Sequence, residues 1–164
     1  MNPELDLATQ LQLALRMTVA LGLGALIGLE RELQRQPAGF RTHGVVSLGA
    51  AIFTIVSGYA FSGIGSDPTR IAAQIVSGIG FIGAGTIIQS RGGVRGLTTA
   101  ASLWAVAGIG MASGAGLYGV AVSGTALMLV VLWLFDKVER WARVRIGLPE
   151  GDASDVDTRT KETP

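Results

Sequence analysis

The amino-acid sequence predicts an all-α fold, a polytopic membrane helix bundle of five transmembrane helices, and three observations lead there. The composition is too apolar for an aqueous domain of this size: 49% of the 164 residues are hydrophobic, 15% are charged, and mean hydropathy is +0.48. Five apolar segments, at about residues 11–29, 44–61, 71–88, 97–115 and 117–135, each approach the roughly 20 residues that a helix needs to cross a hydrocarbon core. The segments' flanks also alternate in basic charge, as the cytoplasmic and external loops of a membrane protein do.

The elements follow in order. The N-terminal MNPELDLATQ has two acids and no Lys or Arg, so it lacks the basic region of a cleavable signal, and the first apolar run is expected to remain as span one. The loop after span one carries Arg31, Arg35 and Arg41, and the loop after span two only Arg70. Arg91 and Arg95 follow span three, no basic residue separates spans four and five, and Lys137, Arg140, Arg143 and Arg145 follow span five. This distribution places the N-terminus outside and the C-terminus in the cytoplasm. Residues 1–146 are expected to form one transmembrane domain. Residues 147–164, polar, acidic on balance and without periodicity, are expected to be a disordered cytoplasmic tail.

Two segments resemble each other. GFRTHGVVSLGAAIFTIVSG (39–58) and GVRGLTTAASLWAVAGIGMASG (93–114) share a Gly-x-Arg start, an internal Ser-Leu and a closing Ser-Gly. Spans one and two would then repeat as spans three and four in the same orientation, a parallel repeat about an axis along the membrane normal. Small residues let helices approach closely in lipid, which makes Gly24, Gly28, Gly78, Gly85, Gly110 and Gly114 candidate packing positions. In span three Gln74, Gly78, Phe81, Gly85 and Gln89 fall on one stripe, and in span four Arg95, Thr98, Ser102, Ile109 and Ser113 do, so both stripes are expected to face inward.

Several chemistries lack their residues. GIGFIGAG (78–85) matches the dinucleotide pattern G-x-G-x-x-G, but it lies inside an apolar run of bilayer length, and no Asp or Glu occurs between Asp67 and Asp136 to hold a ribose. There is no G-x-S-x-G, no cysteine and a single histidine, which removes serine-hydrolase, thiol and Cys/His zinc chemistry. No enzyme activity and no cofactor are expected. A net charge of +1 without a basic patch argues against nucleic acid.

The charge knot GLERELQRQPAGFRTHG (28–44) lies between two almost uncharged runs. It falls at the cytoplasmic ends of spans one and two, and the repeat brings Arg91 and Arg95 to the matching ends of spans three and four. A functional polar cluster of Glu30, Arg31, Glu32, Arg41, His43, Arg91, Arg95, Thr98 and Ser102 is therefore expected, with Glu30 and Glu32 as counter-ions for Arg31, Arg41 and Arg95. Arg16 is the one charge within an apolar stretch. It either snorkels toward the outer headgroups or has an intramembrane role.

LGALIGLERE (23–32), GFRTH (39–43), RIAAQIVSGIGFIGAGTII (70–88) and VRGLTTAASLWAVAGIGM (94–111) together resemble the membrane domain of the MgtC/SapB/YhiD family, across roughly residues 15–118. The resemblance implies a bacterial inner-membrane protein tied to magnesium homeostasis and to adaptation to low magnesium or acid. It also implies a regulator that contacts other membrane proteins, the F-type ATP synthase among them. The MgtC branch commonly has Asn at the position of Thr98, Cys at that of Ala105, and an ACT-like C-terminal domain, so the resemblance is to the short form without that domain.

Expected partners are membrane lipid, another integral membrane protein and a second copy of the chain. The alternative function is a small transporter or channel for Mg²⁺ or H⁺. Magnesium prefers oxygen ligands, and the stretch from 68 to 135 has no acid to offer.

Overall fold

The computed structural model describes residues 6–60, 67, 69–90 and 93–146. Among the described residues five helices occur, α1 (Leu7–Leu33), α2 (Phe40–Ala60), α3 (Thr69–Ala84), α4 (Leu97–Gly114) and α5 (Tyr118–Ile146). One short hairpin, β1 (Ile88–Ser90) with β2 (Gly93–Arg95), joins α3 to α4. Among the described residues, α1, α2, α4 and the first part of α5 (Tyr118–Phe135) are long and apolar enough to cross a membrane. The expected tail, 147–164, lies outside the described residues.

Local chemistry sets the helix boundaries. The Asp6 side chain accepts from the Thr9 amide at 3.1 Å and caps α1. The hydrogen bonds from Thr9 hold the Asp6 carboxyl below the usual carboxylate range, and those from Thr69 do the same for Asp67 before α3. At its other end α1 closes with a Schellman motif, the Gln36 amide bonding to the Arg31 carbonyl and that of Arg35 to the Glu32 carbonyl. This motif requires a left-handed residue, and here Arg35 fills the place at φ 56°. Arg35→Gly is therefore expected to stabilise the protein by about 0.5–1 kcal/mol, read as a higher unfolding midpoint in detergent.

The third apolar run departs from expectation. Instead of continuing to residue 88, α3 ends at Ala84, and Thr86 Oγ1 donates to the Gly83 carbonyl at 2.7 Å. Gln89 and Arg95 thus lie on strands rather than on inward helical stripes. The physical reason is that Thr86, Ile87 and Ile88 are β-branched and precede a glycine pair, which favours a hairpin as strongly as apolarity favours a longer helix.

The chain divides into two compact units, Met1–Leu129 and Val130–Pro164. In the first, α2 packs on α1 and α4, α1 also touches α4, and α3 packs chiefly on α4. Contact order along the helices gives their directions. Gly24 meets Ser47 while Gly28 meets Gly39 and Phe40, so α1 and α2 are antiparallel. Ser47 meets Gly110 and Ala51 meets Gly114, so α2 and α4 run the same way. Ala50, Ile79 and Ala107 form a small apolar core with Val46, Ile75 and Met111 against it. These directions are the ones the repeat predicts. In the second unit, Lys137 Nζ lies 4.1 Å from the Trp133 ring centroid and the Arg145 guanidinium 5.2 Å from that of Trp141, cation–π pairs at helical spacing four.

Candidate functional site

The residues of the charge knot gather where the end of α1 meets the starts of α2 and α4. Arg31, in the last turn of α1, is only 5% exposed. Its Nε donates to Glu30 Oε2 at 2.5 Å and its Nη2 to Glu30 Oε1 at 2.8 Å, a bidentate pair. Glu32 does something different: its Oε2 accepts from the Phe40 amide at 3.0 Å, which places a carboxylate at the N-terminus of α2. Glu30 therefore neutralises Arg31, and Glu32 caps a helix.

His43 is the centre of the buried part, with no exposed surface. Its Nδ1 lies 3.1 Å from the Gly39 carbonyl and its Nε2 2.9 Å from Ser102 Oγ, which is also 2.8 Å from the Thr99 carbonyl. A carbonyl only accepts, so Nδ1 carries a proton. In the neutral ring Nε2 is an acceptor, so the single Ser102 proton is shared between Nε2 and the Thr99 carbonyl, and the Nε2–Oγ contact sets the start of α2 against α4. Ser102→Ala and His43→Gln are each expected to cost about 1–3 kcal/mol, with the double variant little worse than His43→Gln alone, by unfolding of all three in detergent.

Not every expected member joins. Arg41 and Arg95 are exposed and make no ion pair among the described residues, so Glu30 and Glu32 are not their counter-ions. Thr98 is exposed as well, and its neighbour Thr99 is the one turned inward. The reason is rotational: one residue is about 100° on a helix, and the helical stripe that included Thr98 was extended back through Arg95, which is not helical. Arg91 lies outside the described residues.

The glycine candidates divide by helix. Gly24, Gly28, Gly110 and Gly114 are buried, and each stands so close to a neighbouring helix or its flanking backbone that an added Cβ would lie within 2.1–2.7 Å of another heavy atom. Gly78 and Gly85 are exposed and take no part in interhelical packing among the described residues. Ile79 and Gly83 face inward instead, with Gly83 against Ala100 of α4, while Phe81 is 85% exposed.

Sequence reasoning passed over Ser47 and Thr99, two buried hydroxyls whose oxygens have no partner among the described residues. The Ser-Leu repeat was the available signal, since it pairs Ser47 with Ser102. No group of three or more His, Asp or Glu side chains suited to a metal ion occurs among the described residues.

Long apolar helices held by close glycine contacts, with a buried ionic and imidazole cluster at one end, define a polytopic α-helical membrane protein. Its sequence settles the family. The chain belongs to the MgtC family, whose profile matches residues 17–141. It is 45% identical over 125 residues to "Putative magnesium transporter YhiD" of Escherichia coli (strain K12), covering 73% of this chain and 58% of that one. It is 48% identical over 115 residues to "Protein MgtC" of Salmonella typhimurium (strain LT2), covering 70% of this chain and 48% of the relative. An uncharacterized protein of Haemophilus influenzae is 46% identical over 134 residues, 77% of this chain and 56% of its own. The chain thus spans about half the length of these relatives. No solved structure matches it.

Proposed function

We propose that this chain is a non-enzymatic regulatory protein of the bacterial inner membrane that serves magnesium homeostasis and stress adaptation by binding another integral membrane protein. The N-terminus is outside and the C-terminus cytoplasmic, on the loop arginine count. The observation that carries the reading is the closed contact among α1, α2 and α4. Gly24, Gly110 and Gly114 bring backbone against Ser47 and Ala51, which leaves no room for an ion at these contacts. Of the buried polar groups, Arg31 is paired with Glu30 on its own helix, and His43 meets Ser102 between α2 and α4.

The surface of α3 suits a partner. Phe81, Val76, Ile82 and Gln74 are exposed on a helix with little burial of its own, and a protein partner could satisfy the Gln74 amide where lipid could not.

The second reading, passage of Mg²⁺ or H⁺, is favoured by the description of the Escherichia coli relative as a magnesium transporter. Purified protein in liposomes distinguishes the two. The regulatory reading expects no cation flux above empty vesicles, and crosslinking in native membranes to a specific membrane protein that is lost on Phe81→Ala. Flux that disappears in Glu30→Gln, with that variant folded, would establish transport instead.

A further inference from the structure

Arg16 lies on α1, fifteen residues before Arg31 and so about 22 Å away along the helix. Its side chain does not simply run outward. Nη1 donates to the Gly114 carbonyl at 3.0 Å, and the guanidinium rests against the turn between α4 and α5. The turn makes room for it: Gly116 is left-handed at φ +80°, and an added Cβ would lie 3.1 Å from Arg16 Nη2. The carbonyls at the end of α4 offset part of the charge. They do not satisfy the group. Nε is buried without a partner, Nη2 has none among the described residues, and no carboxylate there pairs with Arg16.

Beside this guanidinium is a cavity of about 250 Å³, several times the roughly 30 Å³ that one water occupies in the liquid. It is bounded by Thr54 and Gly58 near the end of α2, Ala72 near the start of α3, and the Gly114–Ala115 turn. All of these lie at the end of the helices opposite the His43 cluster. A cation with donors unused among the described residues, beside an open cavity at the bilayer edge, is complementary to an anion, and the bilayer surface itself supplies phosphate.

We propose that this cavity binds a phosphate group, held by the free guanidinium donors of Arg16 and sited between α1, α2, α3 and the turn after α4. Occupation ties these segments together, so the ligand stabilises the fold. The proposal does not depend on the regulatory reading.

The test uses the full chain in a neutral detergent, with unfolding midpoint and native mass spectrometry as readouts. The probes are phosphatidylglycerol, inorganic phosphate, and diacylglycerol as a lipid without phosphate. Phosphatidylglycerol is expected to raise the midpoint and to remain bound, with affinity at least about tenfold lower in Arg16→Gln, which keeps a donor for the Gly114 carbonyl. Stabilisation by the lipid alone identifies a headgroup site, and stabilisation by inorganic phosphate as well identifies a site for phosphate from either source. Both support the proposal. Equal responses of wild type and Arg16→Gln, or diacylglycerol acting as well as phosphatidylglycerol, would overturn it. If Arg16→Gln does not fold, Ala72→Phe fills the cavity and leaves the arginine in place: loss of the response supports the site, and an undiminished response refutes it.

Discussion

Glu30→Gln is expected to destabilise the protein by about 3–5 kcal/mol, because it leaves the buried Arg31 guanidinium without its counter-charge. The magnitude comes from asymmetry. A buried pair contributes little net stability compared with an apolar pair, but removing one member forces the other to remain charged away from water. The double variant Glu30→Gln, Arg31→Gln is therefore expected to recover a large part of the loss. Arg41→Gln serves as the contrast, since Arg41 is exposed and unpaired among the described residues, and its effect should fall within about 0.5 kcal/mol. Unfolding of the four proteins in detergent micelles reads all of these values. Equal losses for Glu30→Gln and Arg41→Gln would mean that the knot is a solvated loop.

Gly110→Ala is the second large effect. An added Cβ would stand 2.1 Å from the Ser47 carbonyl oxygen and 2.8 Å from its carbon, and both are helix backbone that yields only if α2 moves. Overpacking of a tight contact costs about 1–3 kcal/mol when side chains can rearrange, so a backbone obstacle is expected to reach at least about 3 kcal/mol. Separation of α2 from α4 would also stretch the His43–Ser102 bond nearer the start of the same pair of helices. Gly108→Ala is the control. Nothing lies within 4 Å of its would-be Cβ, and alanine's better helix propensity should make the change neutral or stabilising by about 0.5–1 kcal/mol. Comparison of the two unfolding midpoints checks the prediction.

What the sequence disclosed follows from which physical signals are one-dimensional. Apolar length marks four of the helices as spans, because length against bilayer thickness needs no knowledge of neighbours. Glycines at spacing four located the α1 and α4 contacts for the same reason: on a regular helix, spacing fixes the face. The same rule misplaced α3. Its Gln74–Gly78–Phe81 stripe is regular, but which of two regular faces turns inward depends on the shape of α4, and Ile79 and Gly83 fit there.

The candidate site was legible in composition and less so in pairing. Charges near helix ends announce a cluster, but Glu30 and Glu32, two residues apart, point in different directions and so take different partners. His43 to Ser102 is a contact across fifty-nine residues, and only the internal repeat hinted that α2 and α4 would lie side by side. The contact of Arg16 with the Gly114 carbonyl was beyond sequence reach, since it joins α1 to a turn nearly a hundred residues away.

The central claim is that α2 and α4 run in the same direction, so that the polar cluster forms at one end of the bundle. The chain has no cysteine, so single introduced thiols are unique labels. Arg41→Cys and Arg95→Cys, both at exposed positions, should react with an impermeant reagent from the same side of the membrane, and Asp67→Cys from the other. Reaction of positions 41 and 95 from opposite sides would contradict the account.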